Sequence, residues 1–155
     1  MELNGETLRF IREHCKDDVR SLALQAPKYP GVDMPVALTQ IAGRQAAAEK
    51  IPSWHEEEGV LYPRHLSLEQ CSSEATARYK ASIIPGSSSG TLTDLTGGFG
   101  IDCAFLSPRF HHVTYVERQE VLCEIASHNF PLLGLNHIRI ENKDAIRHLQ
   151  EMSSV

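Results

Sequence analysis

The stretch Asp94-Leu95-Thr96-Gly97-Gly98-Phe99-Gly100-Ile101-Asp102 decides the fold of this 155-residue chain. It begins inside a short β-prone run, residues 91–95, and leads into a helical segment, residues 102–107, which Pro108 ends. Because glycine has no Cβ, a glycine-rich turn between a strand and a helix lets the backbone approach a ligand closely. The sequence therefore predicts a ligand-binding turn at this point of the chain.

Two common types of phosphate-binding glycine turn do not match this stretch. A P-loop needs a Gly-Lys-Ser/Thr ending, which the stretch lacks. A dinucleotide fingerprint needs a third glycine three residues after Gly100, and Cys103 stands there instead. The turn therefore favours a ligand without phosphates, held by carboxylates.

Acidic residues further along the chain supply those carboxylates. Glu117 ends a second predicted strand, residues 112–116, and Asp144 follows a third, residues 137–140. Together with Asp94 they lie at the carboxyl ends of consecutive strands, where open α/β sheets bind ligands. At such positions Glu117 can accept both hydroxyls of a ribose, and Asp144 can accept a hydrogen bond from an adenine amino group.

The alternation of strands and helices after residue 90 predicts the fold class. A helix over 119–133, ended by Gly134, separates the second strand from the third, and Asp144 begins a last helix. Short connections of this kind predict parallel strands joined by right-handed crossovers. We therefore expect an α/β fold in which residues 91–155 form three parallel strands, the first half of a Rossmann-like sheet.

The part before residue 85 has helical patterns and no predicted chemistry. Asn4, Asp17 or Asp18, and Asp33 are placed to cap three helices, and Pro52 closes the third. Residues 53–66 are predicted to be irregular, with Trp54 next to a solvated acidic loop. A further helix capped by Ser72 or Ser73 would be lined by Ala75, Tyr79 and Ile83. We expect a helical subdomain over 1–84 and a flexible linker over 85–90.

Composition excludes several function classes. The net charge of −5 argues against gripping nucleic acid by bulk electrostatics. No apolar run approaches the roughly 20 residues that span a bilayer, and the amino terminus does not resemble a signal peptide. The four cysteines are widely spaced, and neither they nor the histidines have metal-ligand spacing. We therefore expect a cytoplasmic protein with free thiols, no metal site and no contact with a membrane.

The motifs resemble those of class I S-adenosylmethionine-dependent methyltransferases. Residues 94–102 are similar to motif I of the RNA-modifying group, Glu117 to the motif II acid, and Asp144-Ala145 to the motif III pair. Residues 70–81 resemble the helix before motif I in bacterial THUMP-like-domain methyltransferases, which are related to trimethylguanosine synthases. The resemblance covers roughly residues 68–148. It implies S-adenosylmethionine as the cofactor and RNA as the substrate.

The resemblance also implies which residues bind the cofactor. They are Tyr79, Lys80, Asp94, Gly97, Gly98, Gly100, Asp102, Glu117, Asp144 and Ala145. The glycines would pass beneath the methionine portion, while Asp94 and Asp102 would orient its amino group. Glu117 would hold the ribose, and Asp144 with the Ala145 amide would hold the adenine. The helix with Tyr79 and Lys80 would cover the methionine end.

The chain departs from the family after its third predicted strand. A complete domain continues with more strands and with an Asp or Asn followed by prolines, and here no proline follows Asp or Asn. We therefore expect the amino-terminal portion of a methyltransferase that is inactive alone, with no catalytic residue. We also expect it to dimerise, either by antiparallel pairing of two copies of its uncovered first strand or by packing of the exposed apolar faces. The competing outcome is that the helical amino-terminal part covers this edge. A non-catalytic binding module on the same half-fold and a nicotinamide-dinucleotide-binding protein stay open as alternatives.

Overall fold

The computed structural model describes residues 3–85 and 90–152. The described helices are α1 (Gly5–Glu13), α2 (Val19–Leu24), α3 (Met34–Lys50), α4 (Pro52–Glu56), α5 (His65–Gln70), α6 (Glu74–Ile83), α7 (Ile101–Leu106), α8 (Glu120–Leu132) and α9 (Ala145–Met152). The described strands are β1 (Thr91–Asp94), β2 (His112–Glu117) and β3 (Ile138–Asn142). No helix in these two ranges is both long and apolar enough to cross a bilayer.

The three strands form one parallel sheet in the order β1-β2-β3. Leu92 of β1 lies opposite Val113 of β2, and Val113 lies opposite Ile138 of β3. Helix α7 connects β1 to β2, and α8 connects β2 to β3, so each connection is a strand–helix–strand crossover. The predicted fold class, a helical amino-terminal part followed by three parallel strands, is confirmed.

The central strand β2 supplies the middle of the main core. Tyr115 is fully buried, and its ring meets the ring of Phe130 from α8 edge to face, with centroids 5.6 Å apart. Ile101 and Cys103 of α7 are buried in the same apolar cluster. Burying an aromatic side chain of this size stabilises the fold by roughly 1.5–3 kcal/mol. The core therefore fixes the crossover helices on the sheet.

The predicted helix caps of the amino-terminal part are confirmed. Asn4 Oδ1 accepts a hydrogen bond from the Thr7 N–H at 2.8 Å, and Asp18 and Asp33 cap α2 and α3 in the same way. Helices α1, α2 and α3 enclose a second apolar cluster of Phe10, Leu22, Met34, Ala37 and Ile41. The amino-terminal helices therefore have a small core of their own.

The prediction that residues 53–66 are irregular is wrong at both ends of that segment. Pro52 occupies the first position of α4, where proline is favoured, and α5 begins at His65. Trp54 is only 3% exposed because its ring packs against the ring of Phe99, with centroids 5.1 Å apart. The acidic run, residues 56–58, is exposed to solvent as expected.

One predicted helix face is wrong. In α6, which Ser73 caps, the buried residues are Glu74 and Ala77, while Tyr79 and Ile83 are 66% and 64% exposed.

The predicted inward face of α8 is largely confirmed. The apolar pattern over residues 119–133 places Leu122, Ile125, Ala126 and Phe130 inside, and all four are buried. Val121 belongs to the same pattern but is 60% exposed.

One apolar cluster extends across the predicted domain boundary. It contains Ala47, Trp54 and Ala77 from the helical part together with Phe99 and Val113 from the sheet part. Residues 86–89, most of the predicted linker, lie outside the described residues. The division into 1–84 and 91–155 stays a prediction, and the shared core shows that the two parts pack together.

Candidate functional site

The glycine turn is fastened to the end of β2 by hydrogen bonds. The Gly97 N–H donates to the Val116 carbonyl at 2.9 Å, and the Gly100 N–H donates to the Gly97 carbonyl at 2.8 Å. The Tyr115 hydroxyl donates to the Gly98 carbonyl at 2.6 Å. Burial raises the pKa of Tyr115, so its hydroxyl stays protonated and remains a donor. The backbone of the turn is therefore held in one position.

The glycines of the turn serve two different purposes. A Cβ at Gly97 would lie 2.2 Å from Cε2 of the buried Tyr115 ring, and one at Gly100 would lie 2.8 Å from Cζ of Phe130. Those two glycines are required by packing. Gly98 has a φ of +53°, and a Cβ there would meet only the Thr96 carbonyl oxygen, at 3.7 Å. Open space therefore lies above Gly98, where a ligand can reach the backbone.

Glu117 lies beneath this turn, and backbone N–H groups occupy part of the hydrogen-bonding capacity of its carboxylate. Oε2 accepts from the Gly98 N–H and Oε1 accepts from the Gln119 N–H, both at 2.9 Å. The residue is 8% exposed. Each carboxylate oxygen can accept more than one hydrogen bond, so both oxygens keep capacity for a ligand hydroxyl. Two backbone donors thus orient the carboxylate before any ligand arrives.

Asp102, in the first turn of α7, is held from the side of α6. Its Oδ2 accepts hydrogen bonds from Lys80 Nζ at 2.8 Å and from Ser72 Oγ at 2.9 Å. Its Oδ1 is buried and accepts no hydrogen bond from any described residue. A buried carboxylate oxygen without a donor is rare in native proteins, so this atom indicates a place for a ligand donor.

The surroundings of Asp94 disfavour the negative charge of its carboxylate. Its Oδ1 accepts from the Thr96 N–H at 3.1 Å. Burial raises the pKa of the Asp94 carboxyl, and the negative charges of Asp102 and Glu117 raise it further. Three carboxylates around one turn favour a ligand that carries positive charge.

These groups line one open cavity of about 740 Å³ at the carboxyl ends of β1 and β2. The predicted site residues among its walls are Lys80, Asp94, Gly97, Gly98, Gly100, Asp102 and Glu117. Tyr79, Asp144 and Ala145 are not among its walls. Tyr79 points largely into solvent, and Asp144 caps α9 by accepting from the Ile146 N–H at 2.9 Å. The structure thus brings together seven of the ten predicted residues.

The cavity has a further wall that the sequence did not indicate. Ser67, Gln70, Cys71 and Ser72 reach it from α5 and the segment after α5. Ser72 was considered only as a helix cap, but Ser73 caps α6 and leaves the Ser72 hydroxyl for Asp102. A pair of adjacent serines before a helix is the one sequence signal that could have pointed to this role.

A substitution at Asp94 tests the charge of the site. Because the folded-state pKa is raised, the protonated form contributes stability below the ordinary Asp pKa of 3.8, and this contribution is lost as the pH rises through the folded-state value. We expect Asp94→Asn to raise the Tm by a few degrees at pH 7, and the gain over wild type to shrink as the pH falls toward 4.

Thermal unfolding followed by circular dichroism at both pH values measures this difference. Asp18→Asn is the matched control because a backbone hydrogen bond from Ser21 lowers the pKa of Asp18. That variant should gain no stability at pH 7. An Asp94→Asn variant that is less stable than wild type at pH 7 would contradict the placement of Asp94 among like charges.

A solved structure resembles the whole chain. The crystal structure of a "putative methyltransferase" from Porphyromonas gingivalis W83 is 26% identical in sequence and superposes with a TM-score of 0.73. The match covers 99% of this chain and 39% of that chain. A scan against models of known protein families gives no match, and a search of curated proteins gives none. The chain therefore has part of a methyltransferase fold, spanning 39% of the length of that protein.

S-adenosylmethionine is the cofactor that such a fold implies, and the residues of the site fit it. Space for a ligand lies above Gly98, and the orphaned Asp102 Oδ1 needs a donor, which an amino group supplies. The Glu117 carboxylate can accept from hydroxyls. The three carboxylates complement the net positive charge of the cofactor and disfavour a pyrophosphate.

Proposed function

We propose that this chain is the S-adenosylmethionine-binding portion of a methyltransferase. The observation that carries the proposal is the open space above Gly98, directly beside a Glu117 carboxylate that the Gly98 N–H orients. This arrangement lies at the carboxyl ends of parallel strands, the usual ligand position in open α/β sheets. The similarity to part of a methyltransferase fold supports the same class.

The role of these residues is to bind and position the cofactor. When bound, the cofactor supplies an activated methyl group. Glu117 accepts from the ribose hydroxyls, and Asp102 accepts from the amino group of the methionine portion. Fixing both ends of a ligand reduces its freedom and aligns it for transfer, which is the main contribution of a protein to a reaction of this kind. No residue of this chain is assigned to the transfer step itself.

RNA is the proposed substrate of the protein, and the cytoplasm is its proposed location. The substrate rests on the resemblance of residues 94–102 and 70–81 to RNA-modifying methyltransferases. The location rests on the four free cysteines. Burial raises the pKa of the Cys103 thiol to about 12, so this group stays neutral next to the site.

Isothermal calorimetry with S-adenosylhomocysteine tests the cofactor assignment. We expect binding by the wild-type chain and an affinity lower by about tenfold to a hundredfold for Glu117→Gln, because hydrogen bonds to a charged acceptor contribute roughly 1.5–3 kcal/mol. Glu120→Gln is the matched control, since Glu120 is exposed at the start of α8 and does not line the cavity.

Two outcomes would contradict the assignment. Equal affinities for wild type and Glu117→Gln would remove Glu117 from the site. Binding of NAD without binding of S-adenosylhomocysteine would favour the dinucleotide alternative, despite Cys103 at the place of its third glycine. Circular dichroism of each variant would show that the fold is retained.

A further inference from the structure

A second open cavity, of about 440 Å³, is lined by residues of α1, of α3 and of the segment between α4 and α5. This volume is in the usual range for small-molecule sites in proteins. Of the described residues, none lines both this cavity and the one at the glycine turn. The second cavity is therefore a separate feature of the molecule, which the proposed function does not use.

Aliphatic side chains form the apolar part of this cavity. Leu8 and Ile11 of α1 contribute to its wall, together with Val60 and Leu61 of the segment before α5. Leu8 is 39% exposed, so a ligand can still remove apolar surface from water there. Tyr62 is the one aromatic residue among the described residues of the wall, and because it is only 2% exposed it offers no ring face to a nucleobase. The wall therefore suits an aliphatic chain.

The backbone of the segment before α5 is already hydrogen-bonded. The Leu61 N–H donates to Asn129 Oδ1 at 2.9 Å, and the Leu61 carbonyl accepts from Asn129 Nδ2 at 2.8 Å. Gln40 bonds the Tyr62 N–H and carbonyl in the same way, at 2.8 and 2.9 Å. A peptide that adds as a strand needs free backbone groups on the protein. The cavity therefore favours a ligand that has no peptide backbone.

Two arginines give the cavity a positive charge. Arg12 of α1 and Arg44 of α3 line it, and neither forms an ion pair with a residue of the described ranges. Glu58 is the acid that the described part of the wall contains, so two positive charges and one negative charge leave a net charge of +1. A guanidinium group binds a carboxylate through two parallel N–H donors. The charge of the wall thus complements a ligand with one negative charge.

We propose that this cavity is a binding site for an aliphatic monocarboxylate of medium chain length. Arg12 and Arg44 hold the carboxylate, and the aliphatic chain packs against the leucine, isoleucine and valine side chains of the wall. The ligand contacts both α1 and the segment before α5. Its binding therefore stabilises the packing of the amino-terminal helix, because a ligand that binds only the folded state shifts the equilibrium toward it.

A titration with octanoate, followed by two-dimensional NMR of the isotope-labelled chain, tests this site. We expect saturable shifts of the amide signals of Gly59 and Leu61, which line the cavity, and none for Gly98 of the glycine turn. Butanoate has a shorter apolar chain, and octylammonium has the opposite charge. We expect a Kd higher by about tenfold or more for each of them than for octanoate.

Arginine variants separate recognition of the carboxylate from apolar binding alone. We expect Arg12→Gln and Arg44→Gln each to raise Kd for octanoate by about tenfold. Arg20→Gln is the matched control, since Arg20 is exposed on α2 and does not line the cavity, and it should leave Kd unchanged. Circular dichroism of each variant shows whether the fold is retained, and Arg12→Gln, at an exposed position, decides the test if Arg44→Gln does not fold.

Three results would overturn the proposal. One is the absence of saturable shifts at Gly59 and Leu61 when octanoate is added. Another is an equal Kd for octanoate and octylammonium, because the cavity would then bind any aliphatic chain regardless of its charge. The third is an unchanged Kd for octanoate in the folded Arg12→Gln variant. None of these results bears on the cofactor cavity, which the calorimetry with S-adenosylhomocysteine tests separately.

Discussion

Replacement of Phe99 by alanine is expected to lower the free energy of unfolding by about 3–5 kcal/mol, the usual range for truncating a buried phenylalanine. Phe99 belongs to the glycine turn, yet it is only 2% exposed. Its ring packs against Trp54 and lies 6.1 Å from the ring of Tyr62, measured between centroids. The side chain therefore anchors the glycine turn to the helical part, and its loss leaves a cavity between them.

Urea denaturation measures this effect with two probes. Far-UV circular dichroism reports on all helices and strands, and fluorescence reports on Trp54, the single tryptophan of the chain. We expect the two signals to change together, because Trp54 and Phe99 belong to one apolar cluster. Phe105→Ala is the matched control, since Phe105 of α7 is only partly buried and should cost far less. Equal losses for the two variants would contradict the anchoring role of Phe99.

Local patterns in the sequence were sufficient to predict the parallel sheet and the residues at which the capped helices begin. Alternating strand and helix patterns with short connections determine parallel pairing, because few other topologies are compatible with them. Side chains such as Asn4 and Asp33 cap helices by bonding a backbone N–H three residues ahead, and so their effect does not depend on distant residues. The glycine turn and Glu117 were found because each directly follows or ends a predicted strand, which the sequence pattern indicates.

The errors concern residues whose surroundings come from distant parts of the chain. Glu74 is buried in α6 because Ser53 donates to its carboxylate through both its N–H and its hydroxyl, and Arg78 pairs with it at 2.6 Å. An apolar pattern cannot predict a buried glutamate, so the expected face of Tyr79 and Ile83 was wrong. The helix that contains Trp54 was missed for a similar reason, because Phe99, against which Trp54 packs, lies 45 positions further along the sequence.

The uncovered edge of the sheet leads to a prediction about assembly. Within the described ranges, β1 pairs only with β2, and β2 is the element with which it has its main contacts. No described strand pairs with the other edge of β1, so the backbone N–H and C=O groups on that edge can pair with a strand of another chain. Residues 91–95 contain no lysine, arginine or proline to prevent this pairing. We propose that two copies of the chain form a twofold dimer in which their β1 strands pair antiparallel.

Light scattering at several concentrations tests the dimer. We expect a mass that rises to twice that of one chain in wild type, and a monomer for Thr93→Lys, because a lysine in the middle of each β1 strand places like charges close together across the twofold axis. Thr76→Lys, on the exposed face of α6, adds the same charge away from the edge and should still dimerise. A wild-type chain that stays monomeric at high concentration would refute self-association. Dimerisation of Thr93→Lys at wild-type strength would instead place the contact away from β1. The exposed Ile146 and Met152 of α9 offer an apolar surface for such a contact.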